Sequence, residues 1–375
     1  MRGILLALML SFCAGPVLAA EPVVIGVVYN LTGGMASIDA PGLEGMKLAV
    51  ARINREGGVL GRPLRLEVRD GGSDLKRCRA AAKELATLGV AAIAGLNDSD
   101  FALSAGEVAA QARIPFVTAG ATLPALPRIL GDYFFMACFG DDAQAKAMAK
   151  FALRRQGVGS MLVLADKDSA FAVALAGYFT KGYRVRGGKI SAHQSFATAS
   201  PSPLGNKAPA CLETGTCRGV YVAGVPEDAA PVVTALRKAG YAGPVYSGDG
   251  FDTPLLSGLE DKAAPGIFFS THVSYDNPRP QVRSFVDAWK AAYGSDPTSG
   301  FAALGYDAVG LIADAISRAK TTEPARLRLA LAATRGYAGV TGEISYPTPQ
   351  RPPLKPVVIV RFEGGKRTFE AEVRP

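Results

Sequence analysis

AAIAGLNDSDFALSAGEVAAQARIPFVTAGATLP, residues 91–124, is the stretch that decides the fold. Its pattern predicts a strand over Ala91–Ala94, a helix over Phe101–Ala112 and a second strand over Pro115–Thr118, with a polar turn after each strand. The carboxyl ends of parallel strands meet at the edge of a sheet where ligands bind. We therefore expect the two turns to lie side by side at one site.

The two turns carry groups suited to an anion. Residues 97–100 read Asn-Asp-Ser-Asp, all good helix N-cap residues, and residues 119–122 end in a threonine. A free helix N-terminus beside a hydroxyl-bearing turn offers hydrogen-bond donors to a carboxylate. The pattern indicates a site for a small anionic or zwitterionic molecule. The alternative is that the hydroxyls only cap helices, as in any α/β protein.

Strand and helix patterns alternate on both sides of this stretch, which predicts a doubly wound parallel sheet. A second βαβ region of similar construction begins at residue 141 and continues to 270. The predicted strands are Val23–Val28, Leu64–Val68, Phe134–Cys138, Met161–Ala165, Lys189–Phe196, Gly219–Ala223, Val245–Ser247 and Ile267–Ser270. The predicted helices between them are Pro41–Glu56, Asp74–Leu88, Asp141–Gln156, Ala172–Lys181 and Glu227–Ala239.

Three helices in succession break the alternation after residue 270, and two strands end the chain. The helices are expected over Pro280–Tyr293, Phe301–Ala319 and Glu323–Ala333, and the strands over Gly342–Tyr346 and Lys355–Phe362. This order suits a chain that returns to the first sheet and then crosses again. We predict an α/β fold of two doubly wound parallel-sheet lobes joined by three crossovers. Lobe 1 comprises 21–140 and 271–342, lobe 2 comprises 141–270 and 343–375, and the lobes can close like a hinge.

The first 20 residues read as a secretory signal peptide. Arg2 precedes a short apolar run over Ile4–Phe12, and small residues end the segment near Ala19 and Ala20. The bulky Phe12 before Cys13 argues against a lipid anchor. We expect an exported protein with cleavage after residue 19 or 20, and about 355 of the 375 residues in the mature chain.

Composition excludes several function classes. The formal net charge of +8 comes from scattered Lys and Arg, so we expect no nucleic-acid partner. Two histidines, His193 and His272, have no companion at metal-ligand spacing, so neither a metal site nor a Ser-His-Asp set is expected. The loop after the first strand lacks a G-x-G-x-x-G spacing, so we expect no dinucleotide and no other cofactor, which argues against an exported dehydrogenase.

Four cysteines remain after the signal peptide. In an oxidising compartment Cys211 and Cys217 can close a small loop. Whether Cys78 pairs with Cys138 stays open at this point.

Several short motifs together resemble the type I periplasmic solute-binding proteins of the leucine/isoleucine/valine-binding family, the receptors of ABC importers. The resemblance covers essentially the whole mature chain. Its carriers are Val24-Ile25-Gly26 with Leu31-Thr32-Gly33, Gly45–Ala49, Ile53–Gly58, the spacing from Gly95 to Gly120-Ala121-Thr122, Tyr246–Gly250, Gly305–Ala308 and Gly339–Gly342. The resemblance implies a periplasmic protein without catalytic residues, a small amino acid or related carboxylate as ligand, permease subunits as partners, and a monomer.

The resemblance also implies a set of ligand-binding residues. In lobe 1 the ligand's carboxylate would contact Ser99, Gly120, Ala121 and Thr122, and in lobe 2 Asp249 would face its ammonium group. The family's aromatic positions fall on Phe171, for which Ala170 is the other register, and on Val225 and Ile38. Asp98 would oppose an anion if it faced the cleft. These departures leave an aromatic acid or amide open as the ligand, and a sensory receptor as the alternative function.

Overall fold

The computed structural model describes residues 20–205, 208–259, 266–348 and 350–374. The predicted signal peptide, apart from Ala20, lies outside these residues. The strands are β1 Val23–Tyr29, β2 Leu64–Asp70, β3 Ala92–Gly95, β4 Phe116–Thr118, β5 Phe134–Met136, β6 Ser160–Asp166, β7 Lys189–Phe196, β8 Gly219–Ala223, β9 Val245–Ser247, β10 Ile267–Thr271, β11 Tyr337–Gly339, β12 Gly342–Ile344, β13 Val357–Glu363 and β14 Lys366–Val373. The helices are α1 Ala36–Arg55, α2 Leu75–Thr87, α3 Ser99–Ala112, α4 Leu126–Leu130, α5 Asp141–Lys150, α6 Ala170–Val185, α7 Ala210–Glu213, α8 Ala229–Lys238, α9 Pro280–Tyr293, α10 Gly300–Ala319 and α11 Pro324–Ala332.

The first sheet is parallel throughout, in the order β2-β1-β3-β4-β5. Strands β1, β3, β4 and β5 are almost entirely buried because helices cover them, whereas the edge strand β2 is mostly half-buried. The strand order reverses between β1 and β3, which is where open α/β sheets bind ligands. The loops after β1 and β3 carry Asn30 and Asn97, and both donate backbone N–H groups to the Asp39 carboxylate.

The second sheet has the order β14-β13-β10-β9-β8-β6-β7. The strands from β10 to β7 run parallel, whereas β13 and β14 are antiparallel additions at one edge. The order reverses again between β6 and β8, so this sheet also presents a ligand-binding edge. The predicted fold class, two α/β lobes with parallel sheets joined by crossings, is confirmed.

The chain crosses between the sheets after β5, after β10 and before β13, and the three crossings touch one another. The ring of His272 in the second crossing stacks on Phe139 in the first, with ring centroids 4.0 Å apart. In the third crossing, Lys355 donates from Nζ to the carbonyl of Ala137, 2.7 Å away in the first. The crossings therefore form one buried unit between the lobes.

Helices α1 and α10 cross at very short distance because glycines face backbone at the contact. A Cβ placed on Gly45 would lie 1.9 Å from the carbonyl oxygen of Ala302, and one on Gly305 would lie 2.0 Å from that of Gly42. Only a residue without a side chain fits at such a contact. This packing brings the first turn of α10, with Phe301, against the ligand-binding edge of the first sheet.

Several helix starts differ from the prediction, and two of these differences place candidate site residues. Helix α1 begins at Ala36 rather than Pro41, because Asp39 in its first turn accepts two N–H groups from neighbouring loops and fixes the turn although Pro41 cannot donate to the helix. Helix α6 begins at Ala170 with Ser169 as its N-cap. Ile38 and Phe171 therefore belong to first helical turns and not to loops.

The end of the chain also differs from the prediction. Strand β12 pairs with the short β11 in a separate two-stranded sheet. Neither β11 nor β14 is among the predicted strands. The disulfide Cys211–Cys217 is present, whereas Cys78 and Cys138 are buried free thiols. Among the described residues, one helix, Gly300–Ala319, passes a length and composition test for a membrane span, but 83% of its apolar segment is buried inside the protein.

Replacing Gly45 with alanine should lower the free energy of unfolding by about 1–3 kcal/mol, because the new methyl group overlaps the Ala302 carbonyl. The matched control is Gly177→Ala in α6, where a Cβ meets no atom within 4 Å. That control should gain about 0.5–1 kcal/mol from reduced backbone freedom. Urea unfolding of both variants measures the difference, and equal stabilities would contradict this account of the helix contact.

Candidate ligand-binding site between the lobes

The lobe 1 side of the site is built on the start of α3. Asp98 caps this helix, since its Oδ1 accepts the N–H groups of Asp100 at 2.9 Å and Phe101 at 3.4 Å. The Ser99 hydroxyl oxygen accepts the N–H of Leu123 at 3.1 Å, so the hydroxyl proton can go to a further acceptor. This bond fixes the turn after β4 to the helix that follows β3, as the sequence predicts for neighbouring turns.

The turn over residues 120–122 offers fewer free donors than expected. The N–H of Ala121 already donates to the Thr118 hydroxyl at 3.1 Å. The N–H groups of Gly120 and Thr122 meet no protein acceptor in the part of the chain that the structure describes. Gly120 packs tightly: a Cβ there would lie 2.7 Å from Oδ1 of Asn97 and 2.8 Å from the Phe301 ring.

Ile38 lies beside this turn. Its carbonyl accepts a hydrogen bond from Nδ2 of Asn97 at 2.9 Å. Its side chain is buried in the same apolar cluster as Ala121, Phe171, Val225 and Phe301. Ile38 and Phe301 therefore supply apolar surface next to the donors of lobe 1.

The lobe 2 side centres on Asp249, which starts a 3₁₀ turn after β9 and is 2% exposed. Its Oδ1 accepts from Nε2 of Gln144 at 2.8 Å, and its Oδ2 lies 3.0 Å from Nε2 of His272. Gln144 also accepts the N–H of Asp249 and the hydroxyl of Ser270 through its own Oε1. Both oxygens of the acid are thus held by neutral groups.

Gln144 is not among the residues predicted for the site, and His272 is considered only for a metal site and a Ser-His-Asp set, neither of which is expected from the sequence. The Asp141-x-x-Gln144 spacing places both side chains on one helix face, and Gln144 donates to Asp141 at 2.8 Å. This spacing could have predicted from the sequence that Asp141 and Gln144 form a polar pair. Nothing local in the sequence showed that the pair would meet Asp249, 105 residues further along the chain.

Phe171 and Val225 flank the Asp249 turn. A Cβ on Gly250 would lie 3.4 Å from Cε1 of Phe171 and 2.2 Å from the carbonyl oxygen of Gly224. Val225 is fixed by its own N–H, which donates to Asp228 Oδ2 at 2.9 Å. Of the two registers, Phe171 is thus the residue beside the acid-bearing turn.

The lobes contact each other around the site. The N–H of Ala170 in lobe 2 donates to Oδ2 of Asp100 in lobe 1 at 3.0 Å. Ala170 is the residue that the other register would place at the family's aromatic position. The Thr253 hydroxyl lies 3.0 Å from that of Ser37. Gly34 leaves room for the side chain of Glu227 from the other lobe. The site residues are all buried, so the arrangement is a closed one.

The charge of Asp249 contributes to raising the pKa of two nearby carboxyl groups, those of Asp98 and Asp141. Burial raises the pKa of Asp98 to about 7, and the charges of Asp100 and Asp249 add to the rise. Burial also raises the pKa of Asp141, again with a contribution from Asp249, although Thr122 and Gln144 oppose it. Oδ2 of Asp141 is buried without a hydrogen-bond partner among the described residues. A cationic group between the lobes would be stabilised by all three acids.

Two expectations from the sequence concern metal binding and a Ser-His-Asp set. Within the residues that the structure describes, no group of three His, Cys, Asp or Glu side chains could hold a metal ion. Nδ1 of His272 has no partner there, so the His272–Asp249 pair lacks the serine of a Ser-His-Asp set. The geometry is that of a closed binding cleft with donors on one wall and an acid on the other.

The fold and this cleft define a two-lobed periplasmic receptor, and the chain belongs to the periplasmic binding protein family, whose model matches residues 22–366. Such proteins bind substrates in the periplasm. The chain is 27% identical over 308 residues to the Leu/Ile/Val-binding protein homolog 3 of Brucella melitensis, covering 81% of each chain.

Solved structures agree with this assignment. The leucine-binding protein LivK of Thermotoga maritima is 27% identical, with a TM-score of 0.86, covering 94% of this chain and 99% of that one. The branched-chain amino acid transporter substrate-binding protein LivJ of Streptococcus pneumoniae, solved in complex with isoleucine, is 26% identical, with a TM-score of 0.85 and coverage of 95% and 100%.

Asp98→Asn should make the stability less sensitive to pH. Native Asp98 keeps its proton up to about pH 7, whereas the unfolded chain loses it near 3.8, so the native state binds more protons in between and its stability falls as the pH rises. Asparagine keeps an oxygen for the helix cap and removes this loss, which is up to about 4 kcal/mol between pH 4 and 8.

Unfolding free energies measured from pH 4.5 to 8 check this expectation. Asp74→Asn is the matched control, because Asp74 caps α2 in the same way from an exposed position. The wild-type slope should persist in Asp74→Asn and become shallower in Asp98→Asn. Identical slopes in all three proteins would show that Asp98 ionises freely.

Proposed function

We propose that this protein is the substrate-binding protein of an ABC importer and captures a small aliphatic amino acid between its two closing lobes. The observation that carries the proposal is the pairing of opposite chemistries across the cleft. Ser99 and the N–H groups of Gly120 and Thr122 suit a carboxylate, and Asp249 suits an ammonium group. A zwitterion satisfies both walls at once.

The apolar residues around the cleft favour an aliphatic side chain. Ile38, Val225 and Phe171 belong to one buried cluster with Phe301, and none of them offers a polar partner. The similar proteins are named for leucine, isoleucine and valine, and the LivJ structure holds isoleucine. We infer that this chain takes the same class of ligand.

The mechanism we propose is ligand-stabilised closure. Asp100 and Ala170 meet only when the lobes are closed, and the ligand contacts both walls only in that state. A ligand that binds the closed form shifts the equilibrium by its differential affinity for it. We further propose a monomer without catalytic activity, exported by a signal peptide over residues 1–20, with lobes divided at residues 140, 270 and 342. Its closed form docks on permease subunits.

Leucine, isoleucine or valine should raise the melting temperature of the purified protein by mass action, whereas 4-methylpentanoate, which has leucine's side chain without its amine, should not. Benzoate and benzamide belong in the same screen, because an aromatic acid or amide is the competing ligand class. Stabilisation by benzoate alone would replace the amino-acid proposal with that alternative.

Asp249→Asn should weaken amino-acid binding by roughly 10²-fold or more, since losing the charged partner of a buried ammonium costs about 2–5 kcal/mol. The control is Asp142→Asn, which removes an acid next to Asp141 that pairs with Lys146 at the surface. Isothermal titration calorimetry with L-leucine gives both dissociation constants. An unchanged constant in Asp249→Asn would remove Asp249 from the site.

Transport and sensing differ in what happens after binding. Deleting the gene should abolish uptake of radiolabelled leucine at low concentration in the native host if the protein delivers cargo. Normal uptake, combined with a lost transcriptional response to leucine, would favour a sensory receptor.

A further inference from the structure

His272 connects the ligand-binding acid to the hinge. It follows β10 directly, and its side chain is fully buried. The imidazole stacks on Phe139 of the first crossing with an interplanar angle of 23° and lies 5.9 Å from the Phe301 ring of α10. The ring is therefore held on both sides while its Nε2 reaches Oδ2 of Asp249 at 3.0 Å.

Counting hydrogen-bond partners indicates the protonation state of this ring. Nε2 faces a carboxylate oxygen, which can only accept, so Nε2 carries a proton. Nδ1 is buried and has no partner among the described residues. In the neutral ring Nδ1 is a bare acceptor, whereas in the imidazolium it would be a buried N–H without an acceptor, which is costly.

The groups around the ring shift its pKa in both directions. Burial lowers the pKa of His272 below its ordinary value of 6.5, and the Lys355 cation of the third crossing lowers it further. Asp249 and Asp252, both in the loop after β9, oppose this. The rings of Phe139 and Phe301 carry no charge. The balance leaves the imidazole neutral at pH 7 and charged only in acid.

We propose that His272 is a positioning residue that orients Asp249 as a neutral hydrogen-bond donor, and that amine-bearing ligands bind only while it remains neutral. A neutral donor satisfies one carboxylate oxygen and leaves the full negative charge for the ligand's ammonium group. A protonated His272 would pair with Asp249 and cancel that charge. The inference rests on the amino-acid function proposed above.

The sign of the pH dependence follows from this arrangement. Below the pKa of His272, ligand binding requires release of one proton, so the dissociation constant for an amino acid should rise up to tenfold per pH unit. Above pH 7 this contribution vanishes. Asp98, whose pKa is about 7, and Asp141, whose pKa is raised by burial, also titrate near Asp249. The contribution of Asp98 is removed by measuring Asp98→Asn as the background, and that of Asp141 is present in every His272 variant and is subtracted when they are compared.

The first test measures L-leucine affinity by calorimetry from pH 5 to 8 in the Asp98→Asn background, with His272, His272→Gln and His272→Leu. Glutamine can place an amide N–H where Nε2 lies and does not titrate in this range. We expect His272→Gln to lose the rise in dissociation constant at low pH that protonation of His272 causes. At pH 8 it should bind leucine several-fold more tightly than His272→Leu, which has no donor.

The second test needs no ligand, because the chain has only two histidines. Long-range ¹H–¹⁵N spectra of histidine-labelled protein, assigned with His193→Gln, should show the Nε2–H tautomer at pH 7.5 and a protonation midpoint below 6.5. An imidazolium or an Nδ1–H tautomer at pH 7.5 would overturn the inference.

The outcomes separate the two proposals. If the wild type binds none of leucine, isoleucine and valine at any pH, the amino-acid function fails and this inference fails with it. If leucine binds and His272→Gln keeps the same rise in dissociation constant at low pH, the function stands and only the role of His272 is wrong.

Discussion

The buried carboxylate of Asp249 is the constraint around which the cleft is arranged. A carboxylate out of water is costly unless its oxygens accept hydrogen bonds. Gln144 and His272 supply one each, and Gln144 is in turn held by Ser270 and bonded to Asp141. These partners come from the starts and ends of elements at two lobe crossings. The acid therefore lies where the lobes join.

The third crossing is tied to the same region by a second buried ionic group. Lys355 donates to the carbonyl of Ala137 and to the Thr341 hydroxyl, and burial lowers its pKa to about 8 although Asp307 opposes the shift. Asp307 in α10 accepts the N–H groups of Val340 and Thr341. Each crossing is therefore in contact with another, and the three form one compact unit between the lobes.

Local sequence patterns predicted most of the fold but only part of the candidate site. Strands such as Lys189–Phe196 and the helix Pro280–Tyr293 have the predicted bounds, since apolar periodicity and flanking turns determine them. The sequence also predicted that Ser99 lies next to the turn after β4, because both follow neighbouring parallel strands. It missed Gln144 and His272, whose contacts join distant segments, but it did identify Asp98 as one of four good N-cap residues, and Asp98 caps α3.

The three acids Asp98, Asp141 and Asp249 destabilise an empty cleft and would stabilise one that holds an ammonium group. Burial raises the pKa of Asp98 and of Asp141, and the negative charge of Asp249 adds to both shifts, so protonation reduces the cost of these groups in the empty cleft. An ammonium group near Asp249 replaces those protons with a positive charge that all three carboxylates attract. A ligand without such a group leaves the repulsion in place. In the proposed function, discrimination for amines then follows from the unfavourable charge balance of the empty site as well as from the contacts of the ligand.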